Sequence, residues 1–261
     1  MDLYNDKKVR ELYKLIKESK NIVFFGGAGI SVGSGIPDFR SANGLYNSKY
    51  NHMFSPEDIL SRTFFDRYPE MFYRFYKEKM IYLDALPNDA HRFLSDLEKM
   101  GKLKAVITQN IDGLHQKAGS KKVLELHGTI YKNYCVNCLR DYDIDVVLNN
   151  DIPKCECGGI IKPKVVLYEE ALDEEVIYSS IDYIRNCDLF IIGGTSLAVY
   201  PASGLVRYVQ NGKIAIINKE QTVFDNYADI VINDDICKVF KCIHDLILNN
   251  IEEGKKNEWS K

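Results

Sequence analysis

The chain has 261 residues, 46% hydrophobic and 27% charged, which suits one large α/β domain with a small additional module. Its net charge of -3 argues against a dedicated nucleic-acid binder, and no apolar run reaches the ~20 residues of a membrane helix. The charged stretch 1–10 does not resemble a secretory signal, so we expect a cytoplasmic protein. We also expect a monomer that binds neither nucleic acid nor membrane. In that reducing compartment, seven cysteines indicate metal binding or burial rather than disulfides.

Short apolar runs bounded by turn residues predict the buried strands of a parallel sheet. The first run covers residues 21–25 and stops at Gly26. Five similar runs follow, at residues 103–108, 123–126, 189–192, 214–217 and 230–232. Helical patterns lie between several of them. This alternation predicts an α/β fold built on a Rossmann-like, doubly wound parallel sheet.

Apolar spacing and capping residues place the helices between these strands. Asn88 and Asp173 are positioned to cap two of them, Gly101 to end the first of these, and Pro201 to begin another. The predicted helices cover residues 7–20, 88–101, 173–184, 201–212 and 236–247.

Two stretches interrupt the alternation. Residues 41–87 are rich in tyrosine and phenylalanine at helical spacing, and residues 129–165 contain four cysteines among turn residues. We interpret both as insertions that form a small part beside a large one, which takes about residues 1–40, 88–128 and 166–250. Together they form a single domain over 1–250, followed by a polar tail at 251–261.

A glycine-rich loop follows the first strand, at the place where nucleotide-binding sheets hold phosphate. Gly27, Gly29 and Gly33 would let the backbone approach a pyrophosphate closely. The spacing is G-x-G-x-x-x-G, and the acidic residue that dehydrogenases carry about 20 positions later is missing. A glycine-rich turn without a ligand is the alternative. Phe39 and Arg40 favour a nucleotide, because they add an aromatic ring and a cation after the loop.

A second polar cluster follows the strand at 103–108. Gln109, Asn110 and Asp112 lie just past its carboxyl end, where open α/β sheets bind ligands, and Asp112 could accept from a carboxamide such as nicotinamide. Capping of the next helix is the alternative role for Asp112. His127 follows another strand and is a candidate general base. His115 ranks below it because it falls on a predicted helix.

Four of the cysteines form two close pairs. A tetrahedral zinc held by four thiolates has no open position, so such a zinc is structural rather than catalytic. The second pair has one intervening residue instead of two, and Gly158 and Gly159 allow the tight turn this requires. Unligated thiols are the alternative. The predicted ligands are Cys135, Cys138, Cys155 and Cys157, whereas Cys187, Cys237 and Cys242 fit ordinary core positions.

In their order and content, these motifs resemble the sirtuin (Sir2) family of NAD-dependent protein-lysine deacylases, and the bacterial members most closely. The resemblance covers about residues 8–248. It is carried by GAGIS and SGIPDFR (27–40), TQNIDGLH (108–115), LHG (126–128), the cysteine pairs, GTSLAVYP (194–201) and Ile217-Asn218.

The resemblance implies NAD as co-substrate and a structural zinc. Asn110, Ile111 and Asp112 would form the nicotinamide pocket, and His127 would be the general base. The implied reaction joins the acyl group of lysine to ADP-ribose, releasing nicotinamide, O-acyl-ADP-ribose and free lysine. The implied NAD contacts are Gly27, Ala28, Gly29, Val32, Phe39, Arg40, Gln109, Asn110, Ile111, Asp112, Gly194, Thr195, Ser196, Asn218 and Ile236; the implied catalytic residues are His127, Asn110 and Asp112.

The resemblance also implies that an acylated-lysine protein binds as an extended strand between segments 165–170 and 197–200. Backbone bonds of this kind give affinity with little sequence preference. The implied contacts are Val165, Val166, Leu167, Tyr168 and Val199. Glu169 departs from the family, which has glycine there; it adds bulk and charge that favour basic peptides or alter the loop geometry.

Acyl selectivity is left open by the sequence. Sirtuins that prefer acidic acyl groups carry a tyrosine and, three residues later, an arginine in the helical insertion; here Tyr76 and Lys79 have that spacing. A lysine pairs with a carboxylate but not in bidentate fashion. A solvated helix face is the alternative, and acetyl removal is the leading expectation.

Three other functions compete with deacylation. A dehydrogenase is disfavoured by the loop spacing and the missing acidic residue. Mono-ADP-ribosyl transfer breaks the same bond of NAD, so the sequence excludes it less easily than a dehydrogenase. A zinc-ribbon binding module on a degenerate nucleotide fold has no need for Asn110, Asp112 and His127 together.

Overall fold

Two sheets organise the part of the chain that the structure describes. The structure is a computed structural model and describes residues 3–39, 44 and 54–258. Its strands are β1 (Ile22–Gly26), β2 (Leu103–Thr108), β3 (Val123–Glu125), β4 (Gly128–Cys135), β5 (Asp141–Asp143), β6 (Ile161–Val165), β7 (Leu189–Gly193), β8 (Lys213–Ile217) and β9 (Ile230–Ile232). Its α-helices are α1 (Lys7–Glu18), α2 (Pro56–Ile59), α3 (Arg62–Arg67), α4 (Pro69–Lys79), α5 (Asp89–Lys99), α6 (Leu114–Lys117), α7 (Asp145–Leu148), α8 (Glu174–Arg185) and α9 (Ile236–Glu258).

The larger sheet is parallel and has the strand order β3-β2-β1-β7-β8-β9. When the strands of the smaller sheet are set aside, this is the 3-2-1-4-5-6 order of a Rossmann-like fold. Each of its six strands falls on one of the predicted apolar runs. The predicted fold class is therefore confirmed.

Both faces of this sheet are covered, which explains why its central strands β1 and β7 contain no polar side chain. Successive side chains of a strand point to opposite faces. Phe24 accordingly packs into a core with α1, α5 and α9, whereas Phe25 packs into a second core with α8 and the turn at 202–208. All five residues of β1 are buried. The doubly wound arrangement thus follows from strands that bury both faces.

The predicted caps are in place. Asn88 accepts from the N–H groups of Ala90 and His91 at the start of α5, and Asp173 accepts at the start of α8. Gly101 has a φ of +72°, the left-handed conformation that ends helices. These local contacts fix where the helices begin relative to the strand ends.

Lys102 closes the end of α1. Its ammonium donates to the carbonyls of Ile16, Lys17 and Ser19 over 3.2, 2.7 and 2.8 Å. These carbonyls have no partner within the helix, and a cation complements the partial negative charge there. We expect Lys102→Met to lower the free energy of unfolding by about 1–2 kcal/mol in urea titrations.

Lys104→Met is the matched control, because the Lys104 ammonium donates to the Gly101 carbonyl and leaves the end of α1 untouched. Methionine keeps most of the aliphatic stem in both variants. Equal stability of the two variants would show that the α1 carbonyls gain nothing from Lys102.

The smaller part combines helices α2–α4 with the antiparallel sheet β5-β4-β6. Its core is aromatic, and the ring of Phe72 meets those of Phe65 and Tyr73 edge-on at 5.0 and 5.2 Å. Over its described part, 54–87, the predicted helical insertion contains helices and no strand.

Two sequence predictions of helix extent are wrong. The segment that begins at Pro201 is a 3₁₀ helix over Ala202–Tyr208 and stops before Gly212, since serine and Gly204 are poor α-helix formers. Helix α9 continues to Glu258, beyond its predicted end at residue 247, because glutamate and lysine favour helix despite their polarity. Among the described helices, none has the length and apolarity needed to cross a bilayer.

Candidate active site

The carboxyl edge of the parallel sheet brings the predicted cofactor segments together. β1 and β7 are neighbours at the point where the strand order changes direction. The N–H of Gly29 donates to the Gly194 carbonyl over 2.8 Å, so the loops after these strands are bonded to each other. Open α/β sheets bind ligands in the crevice at such a switch point.

Neighbouring protein atoms, rather than a ligand alone, require two of the loop glycines. A β-carbon at Gly27 would lie 2.8 Å from Cβ of Thr195. One at Gly29 would lie 2.7 Å from Cα of Gly194, whose own φ is +61°. The glycine pattern alone predicts that both residues contact a pyrophosphate. The close approach of the β7 loop already demands them.

Ser31 connects the motif at 27–40 with the motif at 108–115, which lies far from it in the sequence. Its hydroxyl donates to Asp112 Oδ2 over 2.6 Å and accepts from Asn110 Nδ2 over 3.0 Å. Ser31 is buried. Ser31 belongs to the GAGIS motif, but the sequence pattern predicts no separate role for it. The hydrogen bonds make it the residue that orients both side chains.

Asp112 has the helix-capping role that the sequence offers as the alternative, and its contact with nicotinamide stays a prediction. Its Oδ1 accepts from the N–H of Leu114 over 2.9 Å at the start of α6, while Oδ2 faces Ser31. Burial raises the pKa of Asp112, and the bond from Ser31 acts in the opposite direction. A carboxylate held in this way can accept a hydrogen bond from a primary amide.

Gln109 has a polar group that lacks a partner. Its N–H donates to the Gly26 carbonyl over 2.9 Å, which fixes the residue at the sheet edge. Its Nε2 is buried and has no hydrogen-bond partner among the described atoms. An unpaired buried donor is costly in a folded protein. This observation fits a ligand with hydroxyl acceptors, such as the ribose of NAD that the resemblance places here.

His127 is oriented by the backbone of the same residue. Its Nδ1 lies 3.0 Å from the Gln109 carbonyl oxygen. A carbonyl only accepts, so we assign the ring proton to Nδ1, which leaves the lone pair on Nε2. Burial lowers the pKa of His127 below 6.5, with the bond to Gln109 acting in the opposite direction. The ring is therefore a neutral base near pH 7.

His115, the rival base, belongs to the core. It is 1% exposed and its ring lies 4.8 Å from that of His91, between centroids. Burial lowers its pKa well below the ordinary value. A fully enclosed histidine of this kind has no route to a substrate, which supports ranking it below His127.

The other predicted NAD contacts are distributed around the same edge. Val32 is exposed, whereas Ile236 is buried against Gly193 in the main core. Phe39 is half-buried and packs on the aromatic core of the smaller part. Arg40 lies outside the described residues. The remaining ones follow β1, β2, β7 and β8 directly: Ala28, Ile111, Thr195, Ser196 and Asn218.

The predicted peptide segment is joined to His127. The N–H of Val166 donates to the His127 carbonyl over 2.9 Å. The backbone of Tyr168 pairs with Leu60 and Arg62, so a peptide strand has to use other backbone groups of this segment. Val165 and Leu167 are buried, and Val199 is half-buried on the loop after β7.

Tyr76 and Lys79 have different environments. Tyr76 is fully buried and stacks on Phe72 at 5.5 Å between ring centroids, so the solvated-face alternative is wrong for this residue. Its hydroxyl has no hydrogen-bond partner among the described atoms. Lys79 forms an ion pair with Glu78 at 2.9 Å. A role in acyl selectivity stays a prediction for both.

The four predicted metal ligands converge at the end of the small sheet. Their sulfur atoms all lie within 4.8 Å of one another, with pairs at 3.4 and 3.5 Å. Tetrahedral zinc with bonds of about 2.3 Å needs sulfur atoms about 3.8 Å apart. Gly158 has the left-handed φ of +83° that the tight second turn uses. The residues Cys135, Cys138, Cys155 and Cys157 therefore fit a structural zinc.

Comparison with known proteins identifies the family. The sequence model of the Sir2 family matches residues 27–201. The chain belongs to the Sir2 family. An NAD-dependent protein deacetylase of Clostridium perfringens is 60% identical over 237 residues, which cover 90% of this chain and 97% of that protein. The resemblance inferred from the motifs is thus confirmed.

Solved Sir2 structures share the whole fold. One, with a deacetylated p53 peptide and 3'-O-acetyl ADP ribose, has a TM-score of 0.83 and 41% identity, covering 91% of this chain and 97% of the other. Another, a Sir2–p53 peptide–NAD⁺ complex, has a TM-score of 0.79 and 40% identity, covering 95% and 98%. The fold of the Sir2 family is therefore complete here. The role of each site residue stays a prediction.

Proposed function

We propose that this Sir2-family protein removes acetyl groups from lysine side chains of proteins in an NAD-dependent reaction. Relatives at 55–60% identity are NAD-dependent protein deacetylases, and the match spans nearly their whole length. Solved relatives hold acetylated or deacetylated peptides and NAD⁺. Apart from the cysteine pairs, the described parts of these motifs lie at the carboxyl edge of the parallel sheet.

The observation that carries this proposal is the double use of Gln109. Its carbonyl orients the His127 ring, and its buried Nε2 has no hydrogen-bond acceptor among the described atoms. One residue therefore places the base and a cofactor-binding amide at a fixed separation. Such preorganisation is what a two-substrate group transfer requires.

When bound, NAD would supply an activated bond between nicotinamide and ribose, whose cleavage would release nicotinamide and let the ribose take the acyl group. Asp112, held by Ser31, is placed to accept from the carboxamide of nicotinamide, with Asn110 and Ile111 beside it. Gln109 would bind the ribose. Phe39, at the edge of the aromatic core, would exclude water that otherwise competes for the same bond.

His127 performs the proton transfer in this proposal. Its Nε2 takes a proton from a ribose hydroxyl, while Nδ1–H stays bonded to the Gln109 carbonyl. Because burial lowers its pKa, the ring starts in the neutral form at pH 7. The zinc takes no part in this chemistry, since four thiolates occupy all of its coordination positions.

The substrate is proposed to be an extended peptide that carries acetyl-lysine between segments 165–170 and 197–200. We also propose that residues 1–250 act as one catalytic domain with a large and a small part, monomeric and in the cytoplasm. Tyr76 and Lys79 are the positions at which a preference for other acyl groups would be tested.

Mass spectrometry of an acetyl-lysine peptide incubated with the protein, with and without NAD, tests the proposal. We expect NAD-dependent loss of the acetyl group and appearance of O-acetyl-ADP-ribose. Succinyl and myristoyl peptides in parallel would rank the acyl groups. Addition of ADP-ribose to protein without deacylation would instead identify a mono-ADP-ribosyltransferase, and unchanged NAD in every reaction would contradict both activities.

A further inference from the structure

Glu169 lies in segment 165–170, which begins beside the candidate base His127. Segment 165–170 starts where Gly128, next to His127, pairs with Val165, and the Val166 N–H bonds the His127 carbonyl. A β-carbon at Gly128 would lie only 2.0 Å from the Lys164 carbonyl oxygen, so the two strands are in tight contact. One side of the segment is therefore fixed by β4.

The other side of the segment is bonded to the beginning of α3. The N–H of Arg62 donates to the Tyr168 carbonyl over 3.0 Å, and the N–H of Thr63 donates to Glu169 Oε2 over 2.9 Å. The next N–H, of Phe64, is bonded to the Ser61 hydroxyl over 3.1 Å. Two of the three first donors of α3 are thus satisfied by the peptide segment.

Glu170 is anchored separately from Glu169. Its Oε2 accepts from Lys162 Nζ and from the N–H of Leu167, each over 2.9 Å. Lys162 is 2% exposed, and Arg62 pairs with the other oxygen at 3.2 Å. The buried ion pair between Lys162 and Glu170 therefore holds the end of segment 165–170. The contact of Glu169 with Thr63 holds its outer edge.

The backbone of Glu169 is unusual for a residue with a side chain. Its φ is +75°, in the left-handed region that favours glycine. The sirtuin pattern has glycine at this position, so the chain keeps the conformation and adds a carboxylate to it. Hydrogen bonds from the side chain and the N–H of Thr63 lower the pKa of Glu169 below its ordinary value. The ionised carboxylate is the form bonded to α3.

We propose that Glu169 is a positioning residue for the peptide substrate: its carboxylate ties segment 165–170 to α3 and sets the edge of the peptide cleft. This inference rests on the proposed function. Glycine at a positive φ is free to move, whereas the bond to Thr63 removes that freedom before the peptide arrives. A preorganised edge binds with a smaller loss of conformational entropy.

The bond to Thr63 distinguishes the two effects expected of Glu169, attraction of basic peptides and a change of loop geometry. The carboxylate of Glu169 is engaged by the Thr63 N–H rather than left facing the cleft as an isolated charge. We therefore assign the loop geometry, and not attraction of basic peptides, as its main effect. The two effects predict different behaviour for glutamine, which keeps an oxygen acceptor but has no charge.

Steady-state kinetics of the full chain at saturating NAD, with a neutral acetyl-lysine peptide, test the inference. We expect Glu169→Gly to raise KM for the peptide about fivefold or more and to change kcat less than about twofold. Glu169→Ala should raise KM as well and also lower Tm, because alanine keeps the left-handed backbone without the bond. Glu169→Gln should restore KM to near the wild-type value.

The matched control is Asp6→Gly, which removes another carboxylate bonded to a helix start, at the N–H of Val9 in α1. We expect it to lower Tm and to leave the KM of the peptide unchanged. A KM for Glu169→Gly equal to that of wild type would overturn the inference. The inference would also be overturned if Glu169→Gln lost affinity for arginine-flanked peptides but kept it for the neutral peptide. The charge of Glu169 would then be its main effect.

Amide hydrogen exchange gives a readout that does not need enzymatic activity. We expect residues 166–170 to exchange faster in Glu169→Gly than in wild type or Glu169→Gln. If wild-type protein deacetylates nothing while Glu169→Gly still exchanges faster, the proposed function fails. The bond between Glu169 and α3 is then still supported. If exchange is the same in all three proteins, the proposal that Glu169 holds segment 165–170 against α3 is refuted.

Discussion

Replacement of His127 by alanine is expected to lower the rate of NAD-dependent deacetylation by about 10²–10⁴-fold, the usual contribution of a general base. The reason is the loss of Nε2, the ring atom left with a lone pair when Nδ1 donates to Gln109. The loss should appear in kcat, measured by release of deacetylated peptide at saturating NAD. Binding of NAD should persist, because Gln109, Asn110 and Asp112 remain.

His244→Ala is the matched control for this variant. His244 lies on α9 and faces Asp96 at 3.4 Å, away from the sheet edge that holds the candidate site. We expect it to keep wild-type kcat. Full activity of His127→Ala would remove the base from this site and with it the proposed mechanism.

The pH dependence of kcat/KM is expected to show an acid limb below pH 6.5. A base acts in its deprotonated form, and burial lowers the pKa of His127. Activity is therefore retained at pH 7 and lost as the pH falls through this lowered pKa. The limb should disappear from the residual activity of His127→Ala. An acid limb centred above pH 6.5 would contradict the assignment of a buried neutral ring.

The parts of the fold that depend on local pattern could be predicted from the sequence. Strands buried on both faces are continuously apolar, as at 22–26 and 189–193, and their carboxyl ends locate the ligand edge without knowledge of the strand order. Caps such as Asn88 also follow from short-range chemistry. The two cysteine pairs also predicted which four thiols cluster, because a Cys-rich pattern of this kind is typical of a structural zinc site.

The parts that depend on contacts between distant segments could not be predicted. Ser31 became significant only when the fold placed it 2.6 Å from Asp112. The pattern predicts that Gly27 and Gly29 contact a pyrophosphate, because the sequence does not show how closely the loop after β7 approaches them. The bond between Glu169 and α3 likewise joins residues 106 positions apart. Such contacts are set by packing, which pattern and propensity do not encode.

Loss of zinc is expected to abolish deacetylation although the metal takes no part in the chemistry. The four thiolates close the end of the sheet β5-β4-β6. β4 runs from Gly128, beside His127, to the ligand Cys135, and β6 ends at Val165, where the peptide segment starts. Structural zinc commonly contributes about 10–16 kcal/mol to the folding of small sites. Without it, the sheet that frames the base and the peptide segment should open.

Cys138→Ser is the sharpest variant, since Cys138 is exposed and its replacement by serine disturbs little packing. We expect loss of about one zinc per chain by elemental analysis, faster proteolysis within 129–165, and loss of activity. Cys187→Ala is the control, because that thiol is buried in the core that contains Phe25 and donates to the Ile184 carbonyl. It should lower Tm but keep zinc and activity. A zinc-free Cys138→Ser protein that retains wild-type activity and protease resistance would show that the small sheet frames the site without its metal.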